Sequence, residues 1–253
     1  YYKKNNDLNF LTYTPTFTRA EQLAKEVNGR AVKNLTELSE ANTIIIACKP
    51  QQLDDLSKAF LELDIELSSK HLISILAATP IETIKEKLGV SKVSRVMPNT
   101  PSLVGKGLSL IIHSEAVEQI EKKLVTDFFS ACGEVVQLED EKTFDQVTTV
   151  SGSGPAYVFL FAKTMVDKLL SWGLEAEQAK KIVIQLFQGS SELMQSQKDL
   201  SLEELISNVT SKGGVTIEAV RSYQANHLDE LTSKALDAAF SRSEEITAEL
   251  NSK

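Results

Sequence analysis

The sequence is sparing with the residues that make a function obvious. It has two cysteines, Cys48 and Cys132, far apart in 253 residues. That is too few for a disulfide framework, and both are read as reduced thiols of a cytoplasmic protein. The three histidines, His71, His113 and His227, stand in no metal-ligand spacing, so no metal site is expected. Positive charge is in the minority: 27 Lys and Arg face 35 Asp and Glu, a formal net charge of −8. With no compensating basic block, nucleic acid and anionic membranes are disfavoured as partners. No apolar run approaches the ~18 residues that span a bilayer. The first residues carry no secretory signal pattern. The first half also lacks a G-x-G-x-x-G, the glycine loop expected after the first strand of a dinucleotide-binding fold.

What is present is a globular composition. Hydrophobic residues make up 42% and charged residues 25%, enough for a full-sized core in one large domain or two ordinary ones. In the first half, strand and helix patterns alternate. Strands are expected over 9–13, 31–32, 43–48, 72–76, 93–97, 108–112 and 135–138. Helices are expected over 18–27, capped by Thr18, over 35–40, capped by Asn34, and over 53–61, 81–88 and 115–131. Thr43-Ile44-Ile45-Ile46-Ala47-Cys48 is apolar throughout, as a strand buried on both faces must be. Such alternation predicts an α/β domain with a doubly wound parallel sheet.

Ligands of these sheets bind at the carboxyl ends of the strands. The candidate segments are Tyr13-Thr14-Pro15-Thr16, Ala47-Cys48-Lys49-Pro50, Ala77-Ala78 and Pro98-Asn99-Thr100. If 9–13 is the second strand, the first strand and its glycine loop precede Tyr1. Tyr1-Tyr2-Lys3-Lys4 then reads as the end of a helix that begins upstream. No Asp or Glu closes the 9–13 strand to bind a ribose 2′-hydroxyl. Thr14, Thr16, Thr18 and Arg19 suit a 2′-phosphate instead, which favours NADP over NAD.

The strand signal disappears after Thr143. Val158 to Leu170 is apolar nearly all round, and further helices are expected over 175–194, 200–209, 216–223 and 228–250. So much apolar surface exceeds what one small bundle buries and predicts a dimer built from this half. The expected domains are 1–142 and 143–253. Two small-residue stretches precede helices here. Ser151-Gly152-Ser153-Gly154-Pro155-Ala156-Tyr157 reads as either a linker or an anion site. Thr210-Ser211-Lys212-Gly213-Gly214-Val215-Thr216 reads as either a turn with a hydroxyl cap or a carboxylate site.

Four motifs in order, Ala47-Cys48-Lys49-Pro50, Arg95-Val96-Met97-Pro98-Asn99-Thr100-Pro101, the 151–157 stretch and the 210–216 stretch, give the chain a resemblance from about Thr14 to Glu245. It resembles the pyrroline-5-carboxylate reductases. The resemblance implies a Rossmann-type domain that binds NADPH, with NADH as the alternative, followed by an all-α dimerisation domain. Dimers in this family often assemble into a decamer, and partners are thought to complete one active site together. Cofactor contacts would fall on Thr14, Thr16, Asn34, Ala47, Cys48, Lys49, Pro50, Ala77, Asn99 and Asn208. Substrate contacts would fall on Asp199, where the family often has Glu, and on Ser211, Gly213, Gly214, Val215 and Thr216. Thr216 would hydrogen-bond the ring nitrogen of a cyclic imine whose carboxylate rests on the backbone beside it. The 151–157 stretch becomes a hinge and a supporting wall of the pocket. Ala78 stands where the family often has Gly, and Val215 where it has a smaller Ala or a Thr. Two alternatives remain open: a non-catalytic dimeric relative, and a reductase of a related cyclic imine.

Overall fold

The computed structural model describes residues 8–211 and 213–251. The helix end expected at Tyr1-Tyr2-Lys3-Lys4 lies outside the described residues, as does Lys212 of the second loop. Two compact units result. One comprises the residues up to Ser153 together with those from Ala239 on; the other is Gly154–Ala238.

The first unit alternates strand and helix as its patterning requires. Its strands are β1 (Leu11–Thr12), β2 (Arg30–Ala31), β3 (Thr43–Ile46), β4 (His71–Ser74), β5 (Lys92–Met97), β6 (Gly107–His113) and β7 (Gly133–Gln137). Its helices are α1 (Phe17–Glu26), α2 (Leu53–Glu62), α3 (Ile81–Leu88), α4 (Gln119–Ser130) and α5 (Glu141–Ser151). A five-stranded sheet runs β3-β4-β5-β6-β7, and β1 pairs with β2 in a separate two-stranded sheet.

All these pairings are parallel except β5 with β6, which is antiparallel. This departs from the all-parallel expectation for a local reason. Residues 98–106 hold only one 3₁₀ turn, Thr100–Val104. A parallel return needs a crossover of about a dozen residues or more, usually a helix.

Every residue of β4 is buried, which is why Leu72-Ile73 shows no polar alternation. Successive side chains point to opposite faces. Leu72 and Val93 join Ile44, Ile84 and Phe144 in the larger core. Ile73, Val96 and Ile111 meet Val125 and Phe129 of α4 in the other. The sheet is therefore covered on both sides at β4 to β6, whereas β3 corrects the expectation for 43–48: Ile44 and Ile46 are buried but Ile45 between them is 41% exposed, so only one face of that strand is covered. At its start, α1 begins one residue before the expected cap: Thr16 is the N-cap residue, and its side chain makes no cap hydrogen bond.

The second unit is helical: α6 (Gly154–Ser171), α7 (Ala176–Ser196), α8 (Leu202–Asn208) and α9 (Val215–Ala225), with α10 (Leu228–Asn251) beginning in it. Pro155 sits in the first turn of α6, where its missing N–H costs nothing. Ala179 and Val183 are buried, and Phe161 meets the Phe187 and Tyr223 rings edge-on at 6.2 and 6.1 Å. Yet α6, the most apolar helix, has no buried residue. Val158, Phe159, Leu160, Ile182 and Leu186 stay exposed. An apolar surface on this scale marks an interaction face. Among the described residues no helix is long and apolar enough to cross a membrane.

Candidate active site

Parallel pairing brings the expected cofactor residues to common edges. Ile46 pairs with Ser74 and Ser74 with Arg95, so Ala47, Cys48, Lys49 and Pro50, then Ala77, then Asn99 follow neighbouring strand ends. Thr12 pairs with Ala31, so Thr14, Thr16 and Asn34 follow the ends of β1 and β2. Tyr13 and Cys48, from the two sheets, pack against the same core cluster.

The local chemistry differs from position to position. Thr14 Oγ1 donates to Thr16 O at 2.6 Å, which leaves its lone pairs to accept. The first turn of α1 holds no acidic side chain to repel an anion, and within it the Arg19 N–H donates to Thr16 O at 2.9 Å. Arg19 lies in that turn, and Lys33 stands 5.1 Å over the Phe17 ring. Asn34 precedes the 3₁₀ turn Leu35–Glu40, and its N–H donates to Glu37 Oε1 at 3.3 Å. The Lys49 N–H is taken by Gln52 Oε1 at 3.0 Å. Burial pushes the Cys48 thiol above its usual range, against a hydrogen bond from its own backbone. It is therefore a packing residue rather than a ready thiolate.

Asn99 is committed at both ends. Its Nδ2 donates to Ser151 O and its Oδ1 accepts from the Leu108 N–H, each at 2.9 Å. The carboxamide thus ties the end of β5 to the start of β6 and to the last residue of α5. Ser151 Oγ beside it is buried without a partner among the described residues.

The turn after β4 is the most constrained of the strand ends. Ala78 adopts φ 50°, the left-handed region, at a cost of roughly 1 kcal/mol for an alanine. Thr79 Oγ1 donates to Ala77 O at 2.9 Å. The Ile81 N–H, opening α3, donates to Glu141 Oε1 at 2.7 Å. Glu141's other oxygen pairs with Arg95, which is fully buried and also pairs with Asp145 at 2.6 Å. The guanidinium lies 4.4 Å from the Phe144 ring centre. Sequence reading missed this cluster. A lone charge in the strand Val93-Ser94-Arg95-Val96 was the available signal, because a charge inside a sheet requires a buried partner.

The expected substrate residues lie in the second unit. Gly213 has φ 74°, a conformation that favours glycine. Gly214 is the N-cap of α9 and offers no side-chain cap bond; its N–H donates to Ser211 O at 3.0 Å. A Cβ on Gly214 would stand 2.4 Å from Ser211 Oγ. Val215 and Thr216 open the helix, exposed, with their backbone N–H groups at a helix start. Glu218 in the same turn pairs with Arg221 at 2.8 Å, which offsets its repulsion of an incoming anion. Asn208 ends α8, and Asp199 lies in the turn between α7 and α8; both are exposed.

The strand ends thus offer hydroxyls, open N–H groups and a cation with no carboxylate in the first turn of α1, a donor set that fits the phosphates and ribose of a dinucleotide. Residues 141–246 match the family described as pyrroline-5-carboxylate reductase dimerisation. Over 240 residues the chain is 32% identical to a pyrroline-5-carboxylate reductase of Vibrio alginolyticus, spanning 94% of this chain and 88% of that protein. A pyrroline carboxylate reductase from Plasmodium falciparum, solved with NADP bound, is 32% identical with a TM-score of 0.75, over 87% of this chain and 82% of that one. A pyrroline-5-carboxylate reductase from Coxiella burnetii is 26% identical with a TM-score of 0.88, over 97% and 92%.

Proposed function

The chain belongs to the pyrroline-5-carboxylate reductase family, and on that premise we propose that it reduces 1-pyrroline-5-carboxylate to L-proline with NADPH as the hydride donor. The start of α9 carries this reading. The backbone N–H groups at Val215 and Thr216 bind the substrate carboxylate, and Gly213 supplies the left-handed turn that aims them. Thr216 Oγ1 accepts the N–H of the protonated ring nitrogen and orients the imine. A protonated imine is already electrophilic, so positioning and charge stabilisation suffice and no histidine or cysteine base is needed.

When bound, the reduced nicotinamide supplies the hydride that adds to the C=N carbon. Thr14, Thr16 and the N–H groups of α1 hold its adenosine side. Arg19 meets the 2′-phosphate and supports NADPH over NADH. Ala47, Cys48 and Ala77 present backbone to the rest. Asp199 and Ser211 contact the substrate, and Asn208 the cofactor. The exposed apolar faces of α6 and α7 support a homodimer formed through the helical half.

Steady-state oxidation of NADPH by the full-length protein, with the five-membered imine acid as substrate, tests this. Thr216→Val should lower kcat/KM by about 10–100-fold, and Thr216→Ser should restore most of it. No turnover by the wild type sinks the proposal. Faster reduction of a six-membered ring imine than of the five-membered one would redirect it to a related substrate.

A further inference from the structure

Two contacts fix the turn between β4 and α3 from distant parts of the chain. Ala78, left-handed and buried, has its carbonyl 3.1 Å from Thr247 Oγ1 of α10, 169 positions away. The same hydroxyl lies 3.1 Å from Ser243 O. The hydroxyl's one proton is therefore shared between the Ala78 and Ser243 carbonyls, each of which has a lone pair to accept it. At the other end of the turn, the Ile81 N–H is held by Glu141 at 2.7 Å, and Glu141 is itself fixed by the buried Arg95. Between the two anchors, Ala77 is exposed and Thr79 fastens its carbonyl at 2.9 Å. Left-handed backbone at a non-glycine residue persists only where its surroundings over-determine it, and such strain gathers at ligand clamps.

We propose that Thr247 and Glu141 are positioning residues that hold the 77–81 turn in the one conformation able to support the reacting ring of the nicotinamide cofactor. The inference rests on the reductase reading above. Neither side chain touches the reacting atoms; both act through the backbone of the turn. If the turn relaxes, the ring keeps its adenosine anchor but loses its angle to the imine.

The test uses full-length wild type, Thr247→Val, Thr247→Ser and Glu141→Gln. NADPH affinity is read by calorimetry. Turnover is read with NADPH and with NADPH deuterated at the transferred position, and unfolding midpoints are read alongside. Valine matches threonine in shape and removes only the donor. Thr247→Val should weaken NADPH about fivefold and lower kcat about tenfold with a larger isotope effect, while the KM for the imine holds. Serine should restore all three, and Glu141→Gln should follow Thr247→Val in direction. Wild-type NADPH affinity and kcat in Thr247→Val overturn the inference. So does a loss that only tracks the unfolding midpoint and that serine does not rescue. A wild type that neither binds NADPH nor reduces the imine overturns the reductase reading and this inference with it. Normal wild-type turnover beside an indifferent Thr247→Val overturns this inference alone.

Discussion

Mild acid should destabilise this protein through one buried and one half-buried histidine. His71 opens β4, Ser94 lies in β5 and His113 closes β6; Ser94 Oγ stands 2.7 Å from His71 Nε2 and 2.7 Å from His113 Nδ1. A hydroxyl has one proton, so it donates to one ring and accepts from the other, which suits two neutral imidazoles. His71 Nδ1 and His113 Nε2 are buried with no partner among the described residues, so an added charge finds nothing to solvate it. Burial, then the positive charges of Lys122 and His71, pulls His113 from 6.5 down to about 4. Burial also lowers His71, against the attraction of Glu121.

The unfolded chain takes up these protons near pH 6.5, whereas folded His113 resists to about 4. Stability is whole above the unfolded value and drains as pH falls through that window. At about 1.4 kcal/mol per pH unit, the full window for His113 is worth about 3.4 kcal/mol, and solvent at its partly exposed ring trims this to about 2 kcal/mol. His113→Gln keeps an amide for Ser94 and takes no proton. In urea unfolding at fixed chain concentration, wild type should lose about 2 kcal/mol more than His113→Gln between about pH 7 and pH 4.5. Asp140 and Glu204, held low by the backbone N–H groups of Thr143 and Ser201, act equally in both proteins. Equal slopes in the two proteins would refute the reasoning.

Other perturbations separate structure from chemistry. Arg95→Met strips Glu141 and Asp145 of their shared cation and removes the contact with Phe144. It should cost about 3 kcal/mol in thermal or urea unfolding, and a change below about 1 kcal/mol would show that the carboxylates find other partners. Asn99→Ala opens both ends of the tie at Ser151 and Leu108 and should cost about 2 kcal/mol. Unchanged stability with weakened NADPH binding would instead give that amide to the ligand. Gly214→Ala drives a methyl onto Ser211 Oγ, so the imine KM should rise by about tenfold or more; a wild-type KM would place the carboxylate elsewhere.

Much of the frame was legible because it depends on local periodicity. The apolar run of β4 and the wide apolar surface of α6 announce, respectively, a strand buried on both faces and a helical half with a face left over, whereas the equally apolar β3 leaves Ile45 exposed. The turn at Gly213 was legible because glycine accepts such left-handed backbone readily. The antiparallel sense of β6 was not, since direction depends on how short the 98–106 return proves to be in space. Asn99 shows the limit most plainly. In the chain it is an amide at a strand end, equally fit for a ligand or for backbone, and only the neighbouring β6 and α5 reveal that both its ends are taken.

By itself, the sequence determined the order of the strands and helices, the change from α/β to all-α, the places where backbone N–H groups lie open and the family. Each follows from patterns within a few residues, or from motifs whose order survives without coordinates. Only the tertiary structure decided which polar groups meet. Arg95 with Glu141, Thr247 with Ala78 and His71 with His113 through Ser94 join positions far apart in the chain. Hydrogen bonds and ion pairs act over about 3 Å, and separation along the chain gives no measure of that distance.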